Sequence, residues 1–128
     1  MRGLNQMILV GNLGDDVQLK RTAEGRPWAM LSVATSRPRR EGDAWVDHTD
    51  WHRVRVHGGE AERCAKFLRK GSLIGVEGSV VYERWTDDNG IKRSRAVVNA
   101  NQVQFLGSPA TRAVHAVAAA RDSAEATT

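Results

Sequence analysis

Up to Gly107 this chain has one stretch with helical spacing, residues 60–70, and most of the remainder alternates with a period of two. Within that stretch Ala61, Cys64, Ala65 and Leu68 recur at helical intervals with Phe67 nearby. Glu60 and Glu62 stand early and Arg69 and Lys70 late, as the helix dipole prefers, and Gly71 is expected to end the helix. A doubly wound sheet needs repeated helices to cover both faces, so a chain with a single helix is not of that class.

Residues 4–10 read as a first strand, ended by a sharp turn at Gly11-Asn12-Leu13-Gly14, and residues 17–20 continue or re-pair it. After the turn material of residues 22–27, residues 28–35 alternate: Ala29, Leu31 and Val33 share one face, Trp28, Met30 and Ser32 the other. Pro38 and Gly42 mark residues 37–43 as a loop carrying Arg37, Arg39 and Arg40. In residues 45–57, Val54 and Val56 face one way and Trp51, Arg53, Arg55 and His57 the other. Residues 72–85 form a long strand with Ile74, Val76, Val80 and Tyr82 on one face, where Gly75 and Gly78 allow coiling. Asp87-Asp88-Asn89-Gly90 is a hairpin turn, and residues 91–106 complete the sheet. Three strand regions, a helix and two more strand regions predict an all-β fold, the five-stranded, partly open barrel of the oligonucleotide/oligosaccharide-binding (OB) class, with its helix between strands three and four. A β-sandwich is poorly served by so few strands.

The chain is 128 residues long, 41% apolar and 27% charged, which suits one modest core and argues against wholesale disorder. Residues 1–107 are expected to be the folded domain. Residues 108–128, with eight alanines and no aromatic residue, read as a flexible tail. That tail holds two arginines and two acids, so the whole net charge of +4 resides in the domain. Cys64 is the only cysteine, which rules out an intrachain disulfide and predicts a buried structural thiol. No apolar run approaches the roughly 20 residues of a membrane helix, and no leader opens the chain. The expectation is a protein of a reducing interior, without a membrane partner.

Basic residues cluster beside flat rings. Trp51 shares a strand face with Arg53 and Arg55, and Trp85 follows Arg84 just before the hairpin turn, with Lys92, Arg93 and Arg95 on the return strand. Indole rings stack on bases without regard to sequence while neighbouring guanidinium groups hold phosphates, so these residues are the candidate nucleic-acid surface. Arg37, Arg39 and Arg40 of the basic loop, Trp45 beside that loop, and His57, a smaller ring on the Arg55 face, join it. Trp28 shares a face with Met30, which leaves DNA contact and packing under a subunit interface both open. His48 and His52, with Asp47 and Asp50 close by, form no compact ligand set, so no metal is expected. There is no phosphate-gripping loop or dinucleotide fingerprint, and no cofactor is expected. The pattern is that of a binding module rather than an enzyme.

Asn5-Gln6-Met7-Ile8-Leu9-Val10-Gly11-Asn12-Leu13-Gly14, Leu31-Ser32-Val33-Ala34-Thr35-Ser36, Thr49-Asp50-Trp51-His52-Arg53-Val54, Leu68-Arg69-Lys70-Gly71-Ser72 and Val76-Glu77-Gly78 together resemble the bacterial single-stranded DNA-binding protein family. The resemblance implies a homotetramer that wraps single-stranded DNA with little sequence preference during replication, recombination and repair, in the bacterial cytoplasm at the nucleoid. It maps the family's stacking residues onto Trp51 and Trp85, its late third-strand aromatic onto His57 and its interface histidine onto His52. The family's third tryptophan falls at Pro38 to Arg40, where this chain has none; Trp45 lies nearby. A primosome-like or other protein-interaction subunit on the same fold is the alternative. Members recruit replication and repair proteins through an acidic tip ending in phenylalanine, whereas residues 121–128 hold two acids and no aromatic.

Overall fold

A computed structural model describes residues 2–109. Its strands are β1 (Met7–Leu13), β2 (Lys20–Arg21), β3 (Pro27–Glu41), β4 (Ala44–His57), β5 (Leu73–Thr86) and β6 (Lys92–Gly107), with the helix α1 (Gly58–Phe67) between β4 and β5. Five of the strands are long, and β2 adds two residues to the edge of β3. They lie in the order β1-β5-β6-β4-β3-β2, and a pairing of β1 with β3 closes the ring. Among the described residues β4 and β6 run parallel and meet only at Val54–Val98 and Arg55–Asn99, so the barrel is partly open on that side. This is the OB architecture expected from the order of elements.

The interior collects the apolar side of each alternating strand. Leu9 and Leu13 of β1, Ala29, Leu31 and Val33 of β3, Val54 and Val56 of β4, and Ile74 and Val76 of β5 are buried together, with Ala61 and Cys64 of α1 packed in. Strand β6 supplies Val98 and Val103, whose odd spacing would put them on opposite faces of a regular strand. A bulge resolves this: Glu77 pairs with Gln102 while Gly78 pairs with Ala100, so Asn101 is the extra residue and the alternation resets.

Several local expectations are corrected. First, Gly11-Asn12-Leu13 is strand rather than turn: β1 leaves β5 at Asn12 and pairs with Ala34 and Val33 of β3. A Cβ at Gly11 would collide with the Ala34 carbonyl oxygen, so the glycine serves a close backbone approach. Second, residues 37–43 are not a loop. The β3–β4 ladder continues through Arg37–His48, Pro38–Asp47, Arg39–Val46 and Arg40–Trp45 to Glu41–Ala44, leaving a two-residue turn at Gly42–Asp43. Gly42 has φ of 61° and Asp43 does not have positive φ, the pattern of a II′ hairpin turn. Among the described residues no third strand pairs with β3 beyond Ala34, so an outward-facing Pro38 nitrogen breaks no ladder.

Third, α1 starts at Gly58 and stops at Phe67, so Arg69 and Lys70 lie beyond it and Lys66 is the basic residue of its last turn. Leu68 caps it, donating its N–H to the Cys64 carbonyl, and the Ser72 hydroxyl then accepts from the Arg69 N–H to turn the chain. Tyr82, placed with the core by its parity, is exposed because β5 has by then run out of the barrel into a two-stranded arm with β6. Of the tail expected over residues 108–128, residues 110–128 lie outside the described residues.

Candidate nucleic-acid interface

Register sorts the predicted residues onto faces. On the outer side of β4, Trp51, Arg53, Arg55 and His57 stand opposite Ala34, Ser32, Met30 and Trp28 of β3. Asn99 of β6 lies beside Arg55, and the same face continues through the opposed pairs Arg95–Glu83 and Arg93–Trp85. Trp45 and Arg40 oppose each other on this face farther along the β3–β4 arm. The structure therefore brings Trp51, Trp85, Trp45, Arg40, Arg53, Arg55, His57, Arg93 and Arg95 to one side of the sheet. Arg37 and Arg39 have the opposite parity and occupy the reverse face of one arm, while Arg84 and Lys92 occupy the reverse face of the other.

The rings differ in their supports. Trp51 is 61% exposed and leans over Gly14, where an added Cβ would run into the indole Cζ3. Trp85 is 45% exposed, with the Arg95 guanidinium 5.4 Å from its centroid. It borders a shallow pocket with Arg84, Thr86, Lys92, Arg93 and Ser94. Trp45 is 49% exposed.

Several of the predicted cations already have carboxylate partners. Glu83 bridges two of them, bonding the Arg55 guanidinium and lying 3.7 Å from Arg95. Arg37 Nε donates to Asp50 at 2.7 Å, and Arg93 Nε donates to Asp87 at 2.9 Å. The hydrogen bond from Arg37 holds the Asp50 carboxyl below its usual range. Asp87 is also held low, chiefly by the Ile91 N–H and then by Arg93 and the Asn89 N–H. Among the described residues no ion pair joins Arg39, Arg40, Arg53, Arg84 or Lys92 to a carboxylate, and of these Arg40 and Arg53 stand on the Trp51 face.

The histidines of β4 are committed separately. His52 Nε2 lies 2.8 Å from the Thr35 hydroxyl, on the side away from Arg53, whereas His48 approaches Asp50 at 3.4 Å. Sequence reasoning did not foresee Gly14, Glu83, Lys20 or Asn99 at this surface. Their alternation was readable, but their neighbours on other strands were not. Trp28 had its outward parity in plain view, opposite to that of Ala29 and Leu31.

The profile of the Single-strand binding protein family matches residues 4–106. The chain belongs to that family. Among curated family members, single-stranded DNA-binding protein 1 of Xylella fastidiosa (strain 9a5c) is 41% identical over 115 residues, spanning 84% of this chain and 80% of that protein. The single-stranded DNA-binding protein of Xanthomonas axonopodis pv. citri (strain 306) is 39% identical over 107 residues, spanning 83% of this chain but only 59% of its own length. A chain of the Plasmodium falciparum SSB complex with ssDNA superposes with a TM-score of 0.75 at 26% identity, covering 83% of this chain and 97% of that one.

Proposed function

We propose that this protein binds single-stranded DNA without sequence preference, coating it through base stacking on Trp51 and Trp85 and through phosphate contacts. The observation that carries this reading is the shared face of Trp51, Arg53 and Arg55 on β4, continued to Arg93 and Trp85 on the β5–β6 arm. Stacking on a single-strand-binding OB unit contributes about 1–3 kcal/mol per base, and two such rings with a few phosphate contacts suit a weak subunit made strong by association. The role is non-catalytic and needs no cofactor: the face is an open surface of rings and cations. We place the protein in the cytoplasm, on single strands exposed during replication, recombination and repair.

Self-association into a homotetramer belongs to the same proposal. Ile8 and Val10 of β1 are 69% and 53% exposed, and with Leu106 of β6 they border a shallow groove over β5. That apolar surface lies on a different part of the barrel from Trp51, so copies can join while the stacking face stays open.

Fluorescence titration with a poly(dT) oligomer and with duplex DNA at two salt concentrations tests the function. Tryptophan quenching, preference for the single strand and weakening with salt are expected. A protein-interaction subunit would show neither the preference nor the quenching. If Trp51→Ala and Arg53→Ala each leave the affinity within about twofold of the parent, the site is misplaced, because losing a stacked base costs more than that.

A further inference from the structure

Trp28 stands apart from the rings that the sequence assigns to DNA. It sits at the far end of the outer face, opposite His57 in the β3–β4 ladder and opposite Lys20 in the β2–β3 ladder. Its neighbours Ala29, Leu31 and Val33 are buried while Trp28 has the other parity, and its ring is not part of the core cluster. The ring is half-buried and has cations around it: Lys20 Nζ is 5.3 Å from the centroid and Arg55 Cζ is 6.0 Å away. His57 completes the row, with its Nε2 at 3.2 Å from the Asn99 side-chain oxygen.

Lys20 and Arg55 lie over this outward-facing ring, and cations drawn from it to the flanking phosphates leave a flat surface for a base, the arrangement that holds one nucleotide. Strand β3 is paired on both sides at this point, so the platform is held in place before any ligand arrives. Along β4, His57 is six residues from Trp51, a span of about 20 Å, so this group serves a different nucleotide from the one on Trp51.

We propose that Trp28 is a further base-stacking platform for single-stranded DNA, with Lys20 as the adjacent phosphate contact and His57 as the smaller ring across the ladder. This rests on the single-strand-binding function proposed above. Lys20 is exposed at the sheet edge and, among the described residues, is held at the ring by a weak cation–π contact, so a passing phosphate can draw it away.

The test uses the full chain and a poly(dT) oligomer, with Trp28→Ala, Trp28→Phe and Lys20→Ala compared with Trp51→Ala. Trp28→Ala is expected to weaken binding roughly tenfold, the loss of one stacked base, while Trp28→Phe keeps most of the affinity. Lys20→Ala should flatten the salt dependence by about 0.7 in log–log slope, one phosphate contact on a single strand. A variant with Trp45, Trp51 and Trp85 all changed to Phe leaves Trp28 as the sole indole, and saturation with oligomer at low salt should quench it. Parent-like affinity of Trp28→Ala beside a weakened Trp51→Ala overturns the Trp28 assignment and leaves the function standing. Failure of the parent chain to bind the oligomer overturns the function itself. A lower mass in solution for Trp28→Ala, with no quenching of the lone indole, would assign the ring to a contact between copies and likewise overturn the proposal. Should Trp28→Ala not fold, the quenching of the lone indole decides.

Discussion

Trp51 owes its place to a residue 37 positions away in sequence: the indole lies over Gly14, which follows the last residue of β1 and donates its N–H to the Ser32 carbonyl at 2.8 Å. A methyl at that position must push the ring aside. Gly14→Ala is therefore expected to lower single-strand affinity by up to about tenfold, the worth of one stacked base, while costing under about 1 kcal/mol of stability because an exposed ring can swing away. Paired titration and thermal unfolding check it; equal affinity would mean that the ring needs no seat. Cys64 makes the opposite case, a residue whose role was plain from the sequence. It is fully buried, and burial, helped by Glu60 and opposed by Arg63, raises its thiol to about 11. Native protein should resist a disulfide reagent at neutral pH and react only after unfolding, which a thiol assay in and out of denaturant reads directly.

At the scale of elements, both arms that carry the rings extend past the buried core. Their register comes from turns and ladders rather than from packing. In the β5–β6 turn, Asp87 accepts from the N–H groups of Asn89 and Ile91 and from Arg93 Nε, and Gly90 takes φ of 77°. A carboxyl held below its unfolded value stabilises the fold above the ordinary carboxylate range and loses that contribution as acid protonates it. Asp87→Ala, or acidification below that range, should loosen this tip and speed amide exchange around residues 89–91 with little change in the barrel. Unchanged exchange at the tip would refute this. The Asp-Asp-Asn-Gly turn was legible because its side chains bond their own backbone. The β3–β4 arm was not, because a ribbon that buries neither face needs no apolar alternation, and Pro38 and Gly42 then read as loop residues.

For the whole molecule, charge sets how hard the surface holds a polyanion. Net charge is +4, yet Glu83 sits between Arg55 and Arg95 in the middle of the outer face, with Trp85 on the same side. Glu83→Gln removes a negative charge there and frees two guanidinium groups. It should tighten single-strand binding and steepen the salt dependence by on the order of one unit in log–log slope. Weaker binding with an unchanged slope would instead make Glu83 the residue that holds the arginines in position. The sequence by itself determined the order of strands and helix, the buried side of β3 and β4 and the family, because alternation, turn chemistry and short motifs are local. Only the tertiary structure decided which strands lie side by side. It put Gly14 under Trp51, joined Trp28 to Lys20 and His57, and gave Arg55 and Arg95 to Glu83. Register between distant strands depends on barrel closure at Gly11 and on the bulge at Asn101, and no local period records either.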